Sequence, residues 1–127
     1  MDLFGAISDE MRLKILMLLD IAEFTVNEIK DILDIHQSNA SRHLSKLSAC
    51  GLLKDRRDGI KAYYRLSEEL LLSNRVLSVI RDAYGELPDK DILRCRAEQV
   101  LEERTDQTKG QIHKLNQATP KPSRVLW

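Results

Sequence analysis

Residues 37–47 read Gln-Ser-Asn-Ala-Ser-Arg-His-Leu-Ser-Lys-Leu. At helical spacing Ala40, Leu44 and Leu47 make one apolar stripe, which leaves Gln37, Ser38, Asn39, Ser41, Arg42, His43, Ser45 and Lys46 on the remaining face. That face carries amides, hydroxyls, an imidazole and two cations but no carboxylate, a set suited to base edges and phosphate oxygens in a DNA groove. An ordinary solvated helix face would usually mix Glu with Lys.

A second set of cations comes directly after. Lys54, Arg56, Arg57 and Lys61 surround Asp58-Gly59, with Arg65 further along and Tyr63-Tyr64 between. Asp-Gly between two runs of strand character suits a two-residue type I′ hairpin, so residues 52–57 and 60–66 are expected to form a β-ribbon with a basic finger. An edge hairpin armed with Lys against aggregation would look similar, but it would have no reason to stand directly behind such a helix.

Net charge over the 127 residues is zero, yet the charges are segregated. Residues 1–36 hold three Lys/Arg against eight Asp/Glu, residues 37–66 hold seven against two, and residues 67–127 hold ten against ten. The positive third coincides with the two segments above, which is the distribution a nucleic-acid partner requires. The apolar fraction of 43% is that of a folded globular chain, and no apolar run approaches the roughly 18 residues of a membrane span. The opening residues contain no basic leader or cleavage pattern, so a cytoplasmic location without membrane contact is expected. Cys50 and Cys95 are far apart and near no ligand cluster, which indicates neither a zinc module nor a disulfide framework.

Both basic segments need a scaffold, and the chain supplies its elements in order. Leu3, Phe4 and Ile7 suit a short first helix, and Ser8-Asp9 then caps a second whose inner stripe is Met11, Ile15, Leu18 and Leu19. Thr25 and Glu28 make a Thr-x-x-Glu capping box ahead of Ile29, Ile32 and Leu33. Asp34-Ile35-His36 connects that helix tightly to the next, giving helix, short turn, helix, and Cys50-Gly51 ends the pair. After the ribbon, Ser67 begins a helix predicted to run to residue 84, with Leu72, Val76, Leu77, Ile80 and Tyr84 among more apolar side chains than a terminal helix need bury at home. A second copy of the chain would cover the excess, with help from Leu3, Phe4 and Ile7. A charged helix is expected from Asp89 or Asp91 toward Leu115. The expected organisation is a domain over residues 1–85, a helical extension over 86–115 and a disordered tail over 116–127.

This order of elements resembles the ArsR/SmtB family of winged helix-turn-helix regulators over about residues 3–84. Residues 8–16 (Ser-Asp-Glu-Met-Arg-Leu-Lys-Ile-Leu) are similar to its Asp-x-x-Arg-x-x-Ile-Leu signature, residues 38–47 to its recognition helix, and residues 51–66 to its wing. The resemblance implies a mainly α fold with a small β-hairpin and a long dimerisation helix after the wing. It also implies a homodimeric repressor of double-stranded DNA that responds to a metal or another signal. The DNA-facing residues expected on this basis are Gln37, Ser38, Asn39, Ser41, Arg42, His43, Lys46, Arg56, Arg57 and Lys61.

The effector half of the family pattern is missing. Where members that sense thiophilic metals carry Cys-x-Cys in the third helix, this chain has Thr25 and Asn27, and residues 68–84 contain no histidine for the other typical site. No metal or cofactor is therefore expected, and the effector stays unknown. His36 reads as a turn residue and Cys50 as a small packing residue; Cys95, between Arg94 and Arg96, is the better candidate for a reactive, redox-sensitive thiol. Some relatives fuse this domain to a methyltransferase, but no glycine-rich nucleotide loop is present here, so a non-enzyme is expected. The alternative is a remnant or linker-bearing domain related to those fusions, serving as a protein-interaction module; the basic wing argues against it.

Overall fold

A computed structural model describes residues 2–118, with side chains through residue 106. The elements are α1 (Leu3–Ile7), α2 (Glu10–Ile21), β1 (Phe24–Thr25), α3 (Val26–Leu33), α4 (Gln37–Ala49), β2 (Leu53–Asp58), β3 (Lys61–Leu66), α5 (Glu68–Leu72), α6 (Asn74–Gly85) and α7 (Lys90–Ala118). This is a winged helix-turn-helix, mainly helical with a small antiparallel sheet.

Capping chemistry sets the boundaries. Asp9 accepts from the Arg12 amide, and Thr25 and Glu28 form the reciprocal capping box in full. At the end of α4, Gly51 takes φ +83°. Its amide donates to Ser48 O and that of Leu52 to Leu47 O, the paired bonds of a Schellman termination, which need the left-handed residue that glycine supplies. Ser67 joins the base of the wing to α5: fully buried, it accepts from the Leu70 amide through Oγ and donates to Gly51 O at 2.7 Å.

The core is built around α2. Leu13, Ile15, Leu16, Met17, Leu18 and Leu19 are all buried, so more of the helix is enclosed than the single stripe expected, with Met11 only half-buried at its edge. The reason is that α1, α3, α4, α6 and β3 all pack on it. Around it stand Phe24, Ile29, Ile32, Leu44, Leu47 and Ile80, each at most 1% exposed. At about 1.5–3 kcal/mol for each large apolar side chain removed from water, this cluster outweighs any surface ion pair in holding the fold.

The sheet differs from the expected two-stranded ribbon in two respects. Phe24–Thr25 adds a third strand, giving the order β1-β3-β2, with Phe24 opposite Tyr64 and Thr25 opposite Tyr63. Asp58 pairs with Lys61, so the two-residue loop is Gly59-Ile60 and not Asp58-Gly59. Only Gly59 has positive φ (+66°) there, which fits a type II′ turn with glycine first in place of type I′.

The helix expected over residues 67–84 is broken. Ser73 closes α5 through its amide to Leu70 O and caps α6 through Oγ, splitting the segment in two. The first compact unit runs to Ala97, past the boundary expected at 85, because Leu87 and Leu93 are buried and bring the start of α7 with them. A second unit begins at Glu98. The tail expected from 116 begins inside α7, which is helical through Ala118; residues 119–127 lie outside the described residues. Among the described residues no helix is long and apolar enough to cross a membrane.

Candidate nucleic-acid interface

Helix α4 docks through Ala40, His43, Leu44 and Leu47, all buried. Gln37, Ser38, Arg42, Ser45 and Lys46 are exposed, and Asn39 and Ser41 half-exposed. Arg42 Nη2 lies 3.3 Å from Asn39 Oδ1, placing a guanidinium fork and an amide, two groups able to read base edges, side by side one turn apart. The turn before α4 is tight because Asp34 adopts a left-handed conformation at φ 55°, while the Asp34 and Ile35 amides both donate to Lys30 O. His36 occupies the N-cap of α4 without a side-chain cap bond.

His43 corrects the expectation. It is only 8% exposed and cannot face a groove. Its Nδ1 is buried without a hydrogen-bond partner, and burial pushes the imidazole below its ordinary pKa of 6.5, with Arg12, Arg42 and Lys46 adding to that push and Asp9 opposing it. Residues 40, 43, 44 and 47 have the i, i+3, i+4, i+7 spacing of a buried face, so the placement was available from periodicity once His43 was allowed to be apolar in role.

On the wing, Lys54, Arg56, Arg57, Ile60 and Lys61 are exposed, Ile60 at 97%. The cations differ in their partners. Arg56 Nε donates to Glu23 Oε2 at 2.9 Å and its guanidinium stacks 4.8 Å from the Tyr63 ring centre. Arg57 has a looser neighbour in Asp55, 3.8 Å away. Glu23, ahead of β1, is a part of the wing that the sequence did not disclose; only the third strand brings it near.

Between wing and helices lies a cleft of about 480 Å³ lined by Thr25, Val26, Asn27, Glu28, Gln37, Ile60, Lys61 and Ala62. Two of these lining residues, Thr25 and Asn27, present a hydroxyl and an amide to it and no thiolate. Among the described residues no three His, Cys, Asp or Glu side chains lie close enough to share a metal ion.

The residues expected at a dimer interface separate into two groups. Leu77 and Ile80 are buried against the chain's own α2 and are not free for a partner, which corrects their assignment. Their spacing puts them on the face where Arg81 and Tyr84 reach Asp20: Arg81 binds its carboxylate through Nε and Nη2 at 2.9 and 3.1 Å, and Tyr84 Oη donates at 2.5 Å. Burial pushes the Asp20 carboxyl up, but the Arg81 and Tyr84 hydrogen bonds outweigh it and hold it below its usual value; burial and Asp20 together push the Tyr84 phenol to about 12. Phe4 at 75% and Leu72 at 84% exposure stand in water, and Leu3, Ile7 and Val76 are half-exposed. Cys95 is exposed; Cys50 is partly buried, with its thiol on Leu47 O.

Residues 9–55 match the family model described as bacterial regulatory protein, arsR family. The chain is 34% identical over 93 residues to the arsenic resistance transcriptional regulator ArsR1 of Pseudomonas putida, covering 72% of this chain and 73% of that protein. It is 42% identical over 69 residues to the arsenical resistance operon repressor of Escherichia coli, covering 54% of this chain but only 59% of the repressor's length. Among solved structures, the homodimeric winged helix-turn-helix DNA-binding domain of Mb0332 from Mycobacterium bovis superposes with a TM-score of 0.57 at 29% identity, over 68% of this chain and 78% of that one.

Proposed function

This chain belongs to the ArsR family of bacterial regulatory proteins, and we propose that it is a homodimeric, sequence-specific DNA-binding repressor. The observation that carries the reading is α4, docked by one apolar face with Gln37, Ser38, Asn39, Ser41, Arg42 and Lys46 turned outward, beside a wing whose tip bears Arg57 and Lys61. Helix α4 enters a major groove, and the wing cations lie along the adjacent backbone. Arg42 and Asn39 read bases; Lys46, Arg57 and Lys61 neutralise phosphates. Two copies joined through Phe4, Leu72 and their half-exposed neighbours set their recognition helices about 34 Å apart, one DNA turn. The protein works in the cytoplasm and catalyses nothing.

Selection of duplexes from a random pool tests the reading directly. The wild type is expected to enrich a two-fold symmetric sequence. Arg42→Ala should cost about 1–3 kcal/mol on it and far less on random DNA. Enrichment of nothing, or an equal loss on both, would refute the assignment, and a reporter driven more strongly by added protein would replace repression with activation.

A further inference from the structure

The start of α7 lies outside the stretch that matches the family model, yet it is bound to the helix-turn-helix at a point that matters for α4. Arg96 Nη1 donates to Ile32 O at 3.0 Å. Ile32 sits in the last turn of α3, where four carbonyls of any helix have no intrahelical amide, and where the negative end of the helix dipole favours a cation. Two residues later comes Asp34, whose left-handed backbone turns the chain toward α4.

Several other residues at the start of α7 are held on the same domain, although Asp91, Ile92, Arg94 and Cys95 are exposed. Leu93 and Ala97, which flank Arg96, are buried. Asp89 binds Lys14 of α2 at 2.9 Å, a pairing that holds the carboxyl below its usual range, and Lys90 Nζ donates to Gly85 O at 2.8 Å. Arg96, itself exposed, therefore projects from a turn held on the domain at four points. Its hydrogen bond goes to α3, not to the outward face of α4 or the wing.

We propose that Arg96 is a positioning residue for the recognition helix: through Ile32 O it clamps the end of α3 and so sets the angle at which the α3–α4 turn delivers α4 to DNA. The proposal rests on the DNA-binding reading for its consequence, but the clamp itself can be measured without DNA.

The test compares Arg96→Ala, Arg96→Lys and, as a control for lost charge on the same helix, Arg94→Ala. In the free full-length protein, Arg96→Ala is expected to speed hydrogen exchange several-fold at the amides that define the turn and the first turn of α4, Ile35, Asn39 and Ala40, while strand amides of the wing keep their rates. On a duplex selected by the wild type, Arg96→Ala should lower affinity about 3- to 10-fold with an unchanged salt slope, Arg94→Ala should stay within about twofold, and Arg96→Lys, which keeps a donor at the carbonyl, should recover part of the loss. Unchanged exchange at those three amides overturns the clamp, as does an equal effect of Arg94→Ala. A salt slope reduced by about one would make Arg96 a phosphate contact instead. If the wild type selects no duplex, the DNA reading has failed, and the exchange rates alone decide whether Arg96 holds the turn.

Discussion

Arg56 and Glu23 are 33 residues apart in sequence and 2.9 Å apart in space, so one cation of the wing already has a carboxylate partner before any phosphate approaches. Arg57, next to it, has a looser carboxylate neighbour in Asp55, 3.8 Å away. Arg57→Ala should lower the slope of log affinity against log salt by about one on any duplex, and Arg56→Ala by less, because Glu23 must first be displaced. Glu23→Gln should raise low-salt affinity by about 2- to 5-fold. Equal slopes for Arg56→Ala and Arg57→Ala would mean that the pair opens completely on DNA.

Burial separates the two kinds of apolar substitution on α5 and α6. Leu72→Glu adds a charge to a side chain already 84% exposed, and should dissociate the dimer while leaving a folded monomer in sedimentation and circular dichroism. Leu77→Glu or Ile80→Glu places the charge in the chain's own core and should cost about 3 kcal/mol or more, unfolding the domain. A Leu72→Glu protein that remains dimeric would move the interface elsewhere.

The buried imidazole makes stability depend on pH. The fold holds His43 in its neutral form, with a pKa below the ordinary 6.5, so this contribution is complete above about pH 6.5 and is lost as pH falls through the lower folded value. Urea unfolding between pH 7.5 and 5 should show wild-type stability declining on the acid side, more steeply than in His43→Leu. Parallel curves for the two proteins would show that the ring titrates as if it were in water.

At alkaline pH the opposite sign applies to Tyr84. Its phenol is raised to about 12 from an ordinary 10, so the protonated form is the one the fold favours; stability is complete below pH 10 and declines as pH rises toward 12. Tyr84→Phe should flatten that decline, and an ultraviolet titration showing a tyrosine of normal pKa at this position would contradict it.

Zinc, cadmium or trivalent arsenic added to the DNA complex at micromolar concentration is expected to release nothing, since Thr25 and Asn27 offer no thiolate. Stoichiometric release by any of them would reveal a ligand set not anticipated. Release by an oxidant alone, lost in Cys95→Ser, would identify the exposed thiol as the switch.

Local chemistry was enough to read most of the frame from the chain itself. A capping box needs only Thr25 and Glu28 three residues apart, a helix stop needs Gly51, and the face of α4 comes from residue types at a period of 3.6, so the helix-turn-helix, the wing and the outward placement of Gln37, Ser38, Arg42 and Lys46 were legible in the sequence. What depended on a distant partner was not. Periodicity marks which side of α6 is apolar but not what covers it, and only the packing of α6 on α2 placed Leu77 and Ile80 inside one chain while leaving Leu72 in water. The same holds for His43, whose inward position depends on the enclosure of α4 by its neighbours. The hairpin register moved the loop to Gly59-Ile60, and the pairing of β1 with β3 put Glu23 within reach of Arg56. The hairpin register is local, but Glu23 meets Arg56 over 33 residues and Ile32 meets Arg96 over 64, and energies that arise only when such distant segments meet leave no local pattern for a sequence to display.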